Sequence, residues 1–283
     1  MYAHRMNGAR ETTIKERSIE TSGQRIAWLE SGAGWPVILL HAFPMNADMW
    51  RPQLAAVPDG WRFIAPDLRG FGQTPFSNEA DGKGPALDDY ASDVGCLMDA
   101  LELDSAIIGG LSMGGYVTFA MFRQAPPRLS GMILADTRPQ PDTRQAREGR
   151  LRLREVLAHE GPTGVAEQML PKLLSERTRR ERPDIVDHTR RIAVSNQSRA
   201  IDAAIIAMMD RQDSTRDLAR ISCATLVIAG ADDSVTPVAD AESMHLAIPR
   251  SILTIIPGAA HLSNVEQPDA FSKALSDFLV AHL

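Results

Sequence analysis

The sequence predicts an α/β protein built on a doubly wound, mostly parallel sheet that carries a helical insertion. Short, continuous apolar runs recur along the chain, and stretches with a helical spacing of apolar residues lie between them. Strands that alternate with helices form parallel sheets with right-handed connections, and such strands are buried on both faces. The strand-like runs stop over residues 138–215, which predicts that this segment is helical.

Length and composition exclude several classes of protein. A chain of 283 residues suits one large domain with an insertion better than two full domains. Hydrophobic residues make up 44% of the chain and charged residues 23%, which excludes disorder throughout. The net charge of −6 lacks the basic excess of nucleic-acid-binding proteins, so we expect no nucleic-acid partner.

Nothing in the sequence predicts a membrane or secreted protein. No apolar run approaches the roughly 18 residues of a membrane span. Residues 1–18 are polar and lack the apolar core of a secretion signal. Cys96 and Cys223 lie far apart and form no Cys-x-x-Cys pattern, which disfavours a disulfide framework and a zinc ribbon. We therefore expect a cytoplasmic protein.

The predicted sheet begins with an antiparallel edge hairpin, because residues 12–20 and 25–30 alternate apolar and polar side chains. Buried parallel strands are predicted by six apolar runs, at 37–40, 62–65, 105–108, 131–134, 225–228 and 252–256. Apolar residues three and four apart predict helices at 87–101, 114–124, 238–247 and 267–282. Reactive groups of such a sheet lie at the carboxyl ends of the strands.

The predicted insertion differs from the rest of the chain in composition. Its helical stretches are separated by prolines, and it carries a net positive charge whereas the remainder is net negative. We therefore divide the chain into a core of residues 1–137 and 216–283 and a helical insertion of residues 138–215.

A candidate nucleophile lies between an apolar run and a helical stretch. Residues 110–114 match the G-x-S-x-G pattern, which places Ser112 on a sharp strand-to-helix turn. Side chains at Gly110 and Gly114 would collide there, so both positions require small residues. The following helix directs backbone N–H groups and its positive dipole end at the reaction site. The alternative is a glycine-rich turn with an idle serine.

His261 is the best candidate for the base that such a serine needs. It lies in the loop between the 252–256 run and the last helical stretch, at the carboxyl end of a strand. The other six histidines lie near the termini, in the insertion, in a helical stretch or at a strand end: His4, His41, His159, His188, His245 and His282. The alternative for His261 is a surface loop residue.

An imidazole base also needs a carboxylate that fixes its tautomer. Asp232 and Asp233 follow the run at 225–228, and neighbouring side chains point in different directions. Only one can face inward, and the other would be a solvated or turn-capping acid. Asp136, at the end of the 131–134 run, is a second possible location.

Five motifs occur in the order typical of one family, at residues 39–44 (Leu-Leu-His-Ala-Phe-Pro), 65–72, 110–114, 230–233 and 258–261. Over almost the whole chain the sequence resembles the α/β-hydrolase superfamily, in its serine-nucleophile branch with a helical cap. It is similar to carboxylesterases, 3-oxoadipate enol-lactonases and pimeloyl-carrier methyl esterases. The Gly-x-x-Asp spacing of that family favours Asp233 over Asp232 as the acid.

The resemblance implies an oxyanion hole made by the backbone N–H groups of Phe43 and Met113. One departure affects this loop, because Ala42 replaces the usual glycine of the family. If this position requires a positive φ, alanine costs about 1 kcal/mol or more in strain.

The expected reaction is hydrolysis of a small to medium carboxylic ester or lactone. Ser112 attacks, His261 accepts and then returns the proton, and water hydrolyses the acyl-enzyme. The serine excludes the branches of the family that use an aspartate nucleophile, the epoxide hydrolases and haloalkane dehalogenases. Nucleotide-binding glycine patterns and the His-Glu-x-x-His metal pattern are absent, so we expect no cofactor and no metal.

The insertion resembles the helical cap of this family, and Ile205, Met208 and Met209 are candidates for an acyl pocket. Core packing is the commoner role of such side chains. Arginines in 144–154 and 177–182 could attract an anionic substrate, but a solvated helix face is the commoner arrangement. Asn196 begins a match to the glycosylation pattern, which we interpret as chance.

Three alternatives stay open at this stage. The same three residues could catalyse C–C bond hydrolysis of β-diketone-type compounds, or perhydrolysis without a cofactor. A non-catalytic ligand-binding receptor on this fold is the third. The sequence does not indicate an oligomeric state.

Overall fold

The computed structural model describes residues 13–21, 24–76 and 84–281. His4, His282 and most of the segment considered as a secretion signal lie outside these residues. The edge hairpin is confirmed as β1 (Lys15–Thr21) and β2 (Gln24–Gly32), which pair in antiparallel fashion. None of the helices in the described ranges has the length and apolar character that a membrane crossing requires.

An eight-stranded sheet forms the centre of the molecule, in the order β1-β2-β4-β3-β5-β6-β7-β8. Its six further strands are β3 (Trp35–Leu40), β4 (Trp61–Pro66), β5 (Ala106–Leu111), β6 (Leu129–Ala135), β7 (Ala224–Gly230) and β8 (Ser251–Ile256). Strand β2 is antiparallel to β4, whereas the pairs β4–β3, β3–β5, β5–β6, β6–β7 and β7–β8 are parallel. Each predicted strand is therefore confirmed, as is the mostly parallel α/β class.

The helices are α1 (Arg51–Ala55), α2 (Leu87–Ala100), α3 (Met113–Gln124), α4 (Arg144–Leu173), α5 (Glu176–Glu181), α6 (Pro183–Val194), α7 (Ser198–Met209), α8 (Val238–Ala247), α9 (Ser263–Glu266) and α10 (Pro268–Val280). The predicted helices correspond to α2, α3, α8 and α10. The described residues also include three short 3₁₀ turns, at Ala47–Trp50, Pro126–Arg128 and Thr215–Arg220.

Helices α4 to α7 lie between β6 and β7, where the sequence predicts a helical insertion. Within α4 the chain kinks at Gly161, whose φ is 67°, immediately before Pro162. Helix α4 packs against α6 and α7. We call residues 138–215 the insertion, and its division from the core at these residues stays a prediction.

Both faces of the sheet are covered, as a doubly wound arrangement requires. Successive side chains of a strand point to opposite faces, so Ile38 and Leu40 enter one buried cluster while Val37 and Leu39 enter another. Side chains of α2, α3 and α7 belong to the first cluster, and those of α10 to the second. This sandwich holds the carboxyl ends of β5 to β8 side by side.

Candidate active site

Three predicted site residues follow the carboxyl ends of parallel strands. Ser112 follows β5 directly, Asp233 lies in the loop after β7, and His261 lies in the loop after β8. Strands β5, β6, β7 and β8 are consecutive in the sheet, so the loops that follow them lie side by side at the carboxyl ends of the strands. The sheet therefore brings residues from distant parts of the sequence to one place.

Ser112 has the backbone conformation of a sharp turn, with φ 54° and ψ −111°. A Cβ at Gly110 would lie 2.0 Å from the carbonyl carbon of Gly114, and one at Gly114 would lie 2.2 Å from the carbonyl oxygen of Leu40. No side chain fits at either position without displacement of the backbone. The two glycines thus allow β5 to turn directly into α3 with Ser112 at the corner.

A continuous chain of hydrogen bonds joins the three side chains. The hydroxyl Oγ of Ser112 lies 2.8 Å from Nε2 of His261. On the other side of the ring, Nδ1 lies 2.8 Å from Oδ2 of Asp233. All three residues are buried, and the His261 side chain is only 2% exposed. This is the geometry that general-base activation of a hydroxyl requires.

The structure distinguishes the two neighbouring acids. Asp233 is buried, and its Oδ1 accepts hydrogen bonds from the N–H groups of Val235 (2.7 Å) and Thr236 (3.1 Å). The Thr236 hydroxyl donates to Oδ2 at 2.6 Å. Asp232 is exposed. The carboxylate that contacts the imidazole is therefore the one that the family spacing favours, although its catalytic role stays a prediction.

Burial and charge act in opposite directions on this pair. Burial raises the pKa of Asp233, but the His261 charge and the hydrogen bonds from His261 and Thr236 outweigh it and leave the pKa below its usual value. Burial lowers the pKa of His261, but the charge and hydrogen bond of Asp233 outweigh it and leave the pKa raised. The pair therefore favours an ionised carboxylate that can stabilise an imidazolium.

Asp136, the second possible acid, occupies a buried position at the end of β6 and has a φ of 43°. Its Oδ1 accepts the N–H of Gly230 at 2.7 Å, and its Oδ2 accepts the hydroxyl of Ser263. Burial, and then the charge of Asp233, raise its pKa to about 7. Asp136 thus supports the loops after β7 and β8 but does not hydrogen-bond to His261.

The two predicted oxyanion donors are at the same edge of the sheet. Leu40 at the end of β3 is paired with Gly110 in β5, so the loop that carries Phe43 begins beside the turn at Ser112. Within the described ranges, the N–H groups of Phe43 and Met113 donate to no protein acceptor. Ala42 is not among the described residues with positive φ, so alanine introduces no strain of that kind.

His41 is a buried support for this loop, a role that sequence analysis missed. Its Nδ1 donates to the carbonyl of Ala42 at 2.9 Å, and its Nε2 accepts the N–H of Leu68 at 3.1 Å. Burial lowers the pKa of His41 to about 4, although the hydrogen bond to the carbonyl of Ala42 raises it by a smaller amount. A neutral imidazole therefore connects two of the sequence motifs.

Asn196 is a second residue whose role was missed. Its Nδ2 donates to the carbonyl of Pro44 at 2.7 Å, and its Oδ1 accepts the N–H of Gly72 at 2.9 Å. The side chain therefore ties the end of α6 to the loop of Phe43. No signal in the sequence pairs residues so far apart, and the glycosylation match has no connection with this contact.

The candidates for an acyl pocket are buried side chains of α7. Ile205, Met208 and Met209 belong to the same buried cluster as Phe43 and Met113. This packing fits the commoner role that we considered, and contact with substrate stays a prediction. Many arginines of the two basic stretches form ion pairs with acidic residues: Arg144, Arg147, Arg150, Arg154, Arg177, Arg180 and Arg182.

Among the described residues, no three or more His, Cys, Asp or Glu side chains are grouped so that they could hold a metal ion. The arrangement at Ser112 consists of a hydroxyl, an imidazole, a carboxylate and two unpaired N–H groups. These groups can together support nucleophilic attack on a carbonyl carbon.

Comparison with known proteins identifies the family. A model of the alpha/beta hydrolase fold matches residues 36–158. The 3-oxoadipate enol-lactonase 2 of Acinetobacter baylyi is 31% identical over 242 residues, covering 84% of this chain and 86% of the relative. The chain belongs to the α/β-hydrolase superfamily.

Other members of the superfamily extend this similarity. A thermophilic esterase from Thermogutta terrifontis superposes with a TM-score of 0.88 at 37% identity, covering 95% of this chain and 99% of the other. A putative non-heme chloroperoxidase from Synechocystis is 28% identical over 276 residues, covering 90% of this chain and 94% of the relative. The resemblance noted in the sequence is thus confirmed at the level of the superfamily.

Proposed function

We propose that this α/β-hydrolase cleaves a small to medium carboxylic ester or lactone through an acyl-enzyme on Ser112. The observation that carries the proposal is the hydrogen-bonded chain from Ser112 through His261 to Asp233, with both bonds at 2.8 Å. Similarity to an enol-lactonase and to an esterase supports the choice of ester and lactone substrates.

Acylation begins when His261 removes the proton from the hydroxyl of Ser112. Nε2 takes the proton as Oγ attacks the carbonyl carbon, and the ring becomes an imidazolium. Asp233 accepts the Nδ1–H bond and stabilises the positive charge. Because Thr236 and the backbone also bind this carboxylate, it keeps its orientation while the proton moves.

The negative charge that develops on the substrate carbonyl oxygen needs donors. The unpaired N–H groups of Phe43 and Met113 are suited to this role, and the N-terminus of α3 adds its positive dipole end. Loss of one such donor in other hydrolases costs about 10²–10³ in rate. Substitution of a side chain cannot remove a backbone N–H donor. The contribution of these donors must therefore be tested by changes that move the loop of Phe43.

The intermediate collapses when His261 returns the proton to the leaving alkoxide. From an ester the alcohol departs, whereas from a lactone the released hydroxyl stays on the acyl chain. Water then attacks the acyl-enzyme, with Nε2 of His261 as its base, and the acid and free Ser112 are released. No redox step occurs in this sequence, and protons balance over the two half-reactions.

The test is a panel of p-nitrophenyl esters of increasing acyl length, together with simple lactones followed by acid release. We expect turnover of at least one short or medium substrate by the wild type. Ser243→Ala, at an exposed serine of α8, is a matched control that should keep this rate. Absence of turnover on every substrate by folded protein, with tight binding of one of them, would favour the non-catalytic receptor instead.

A second candidate activity is perhydrolysis, and the similarity to a putative non-heme chloroperoxidase favours it specifically. Hydrogen peroxide would replace water in the second half-reaction, so that the acyl-enzyme yields a peracid and free Ser112. Peracid formation from acetate and hydrogen peroxide measures this activity. A peracid rate that exceeds ester hydrolysis would make perhydrolysis the main function.

A further inference from the structure

The two neighbours of His261 in the sequence are both tied to one short segment of the insertion. The N–H of Leu262 donates to the carbonyl of Leu173, the last residue of α4, at 3.0 Å. The N–H of Ala260 donates to Oε1 of Glu266 at 2.6 Å, while Oε2 of Glu266 accepts the N–H of Ser175 at 2.9 Å. The imidazole is thus flanked by two links to residues 173–175.

Glu266 is a buried carboxylate, 3% exposed, at the end of α9. A buried charge is costly unless hydrogen bonds compensate it. Here two backbone N–H groups, one from the loop of His261 and one from the insertion, each bind a different oxygen. Among the described residues neither oxygen hydrogen-bonds to Ser112 or His261, so the proposed reaction does not use this carboxylate directly.

We propose that Glu266 is a positioning residue that couples segment 173–175 of the insertion to the loop of His261. Seating of the insertion over the sheet edge and alignment of the imidazole with Ser112 then depend on one another. The inference rests on the proposed function, because it takes His261 as the base. The coupling goes beyond the proposed function because it assigns the insertion a part in aligning the base.

The physical basis is the sensitivity of proton transfer to small displacements. Asp233 holds His261 only at Nδ1, so the position of Nε2 relative to Ser112 depends on the loop backbone at residues 260–262. Without Glu266, the N–H groups of Ala260 and Ser175 would both be buried without a partner, and the loop would shift to satisfy them. A displacement of about 1 Å at a reacting group can cost 10²-fold in rate.

Ser175 offers a backbone substitution that tests one end of the link. Its φ is −59°, and Leu174 before it has φ −119° and ψ 141°, which are conformations that proline and its preceding residue adopt. Ser175→Pro therefore removes the N–H donor to Glu266 without requiring a new backbone path. Ser175→Ala is the matched control, because it loses the hydroxyl that caps α5 but keeps the N–H.

Glu266→Gln tests the other end. The amide keeps the shape, but its NH₂ group would face a backbone N–H, so one of the two bonds is lost. Glu176→Gln, at an exposed glutamate of α5 in the same region, is the matched control for loss of charge. Glu266→Asp keeps the carboxylate on a shorter side chain and should recover part of the effect.

The readout is kcat on a p-nitrophenyl ester per active serine, titrated to completion with a fluorophosphonate, together with KM and Tm. We expect Ser175→Pro and Glu266→Gln each to lower kcat by about tenfold to hundredfold, with a smaller change in KM. Both controls should stay within about twofold of the wild type. The double variant should be no slower than the slower single variant, since both changes break one link.

A merely structural role would lower Tm and the fraction of titratable serine but leave kcat per titrated serine unchanged. That result, or independent effects that multiply in the double variant, would overturn the coupling. If Glu266→Gln and Ser175→Pro do not fold, Glu266→Asp decides the question by the same readout. If the Ser112→Ala variant keeps its activity, the proposed function itself is rejected. If Ser112→Ala is inactive but the Glu266 variants keep the wild-type kcat, only the coupling is rejected.

Discussion

The ends of β6 and β7 each carry a buried aspartate, and the two carboxylates have opposite properties. Asp233 after β7 binds the imidazole, and its pKa is lowered. Asp136 after β6 binds a backbone N–H and a serine hydroxyl, and its pKa is raised to about 7. Burial raises the pKa of both groups, so burial alone does not explain the difference.

The difference follows from the partners of each carboxylate. Asp233 has a cationic partner when His261 is protonated, together with a hydroxyl and two backbone N–H groups. Asp136 has fewer donors and lies near the negative charge of Asp233, which raises its pKa further. One strand end is therefore suited to stabilise an imidazolium, and the other to hold a proton near neutral pH while it supports the loops.

Removal of the nucleophile should have the largest effect. We expect Ser112→Ala to lower kcat by as much as about 10⁶-fold, because the three residues act as a unit. Steady-state ester hydrolysis measures this, with Ser243→Ala as the control that keeps its rate. A Ser112→Ala variant with most of its turnover would make both aspartates irrelevant to the chemistry.

Exchange of the two acids for amides tests the comparison directly. Asp233→Asn should lower kcat by about 10⁴-fold, because an amide no longer selects the correct tautomer of His261. We expect Asp136→Asn to lower it by less than about tenfold, and Asp232→Asn, at an exposed residue, to leave it within about twofold. If Asp136→Asn lowered kcat more than Asp233→Asn does, the role of the acid would belong to Asp136 at the end of β6.

The pH dependence of the rate should sharpen the same comparison. His261 acts as a base only when neutral, and its pKa is raised above 6.5, so kcat/KM should fall as the pH drops through a value above 6.5. The charge of Asp136, which is partly present near its own pKa of about 7, contributes to this raised pKa of His261. In Asp136→Asn the acid limb should therefore move to lower pH, and an unchanged or higher limb would contradict this account.

The remaining expected effect concerns stability and not the rate. In the folded protein Asp136 keeps its proton up to about pH 7, whereas its ordinary value is 3.8. Its contribution to the free energy of unfolding is therefore fully present below about pH 4 and is lost as the pH rises through 7. Urea unfolding at several pH values should show a weaker decline for Asp136→Asn than for the wild type. Equal declines would show that Asp136 titrates normally.

Local sterics and strand order make the positions of the main candidate residues predictable. The elbow at Ser112 needs two glycines at fixed spacing, and the structure shows that a Cβ at either one would overlap the backbone. His261 was predicted because it lies in a loop at the carboxyl end of a strand. The choice of Asp233 over Asp232 depended on the family spacing, since side-chain direction in a loop does not follow from composition.

The supporting contacts could not be predicted because they join residues far apart in the sequence. Asn196 hydrogen-bonds to Pro44, and Glu266 hydrogen-bonds to Ser175. The residues of each pair lie in different segments of the chain, and no rule of sequence spacing connects them. The buried side chains of α7 pose another difficulty, since a core face and a pocket wall have the same apolar pattern. Ala42 shows the opposite case, because the strain that a positive φ would cause there does not arise when its φ is not positive.

The central claim is that Ser112 becomes acylated through His261. The most direct measurement is acid quenching of the enzyme with p-nitrophenyl acetate in the first turnover, followed by peptide mass spectrometry. The account predicts one acetyl group per chain, on the peptide that contains Ser112, and its absence in Ser112→Ala. Release of p-nitrophenol with Ser112 unmodified, or with the acetyl group on another residue, would contradict it.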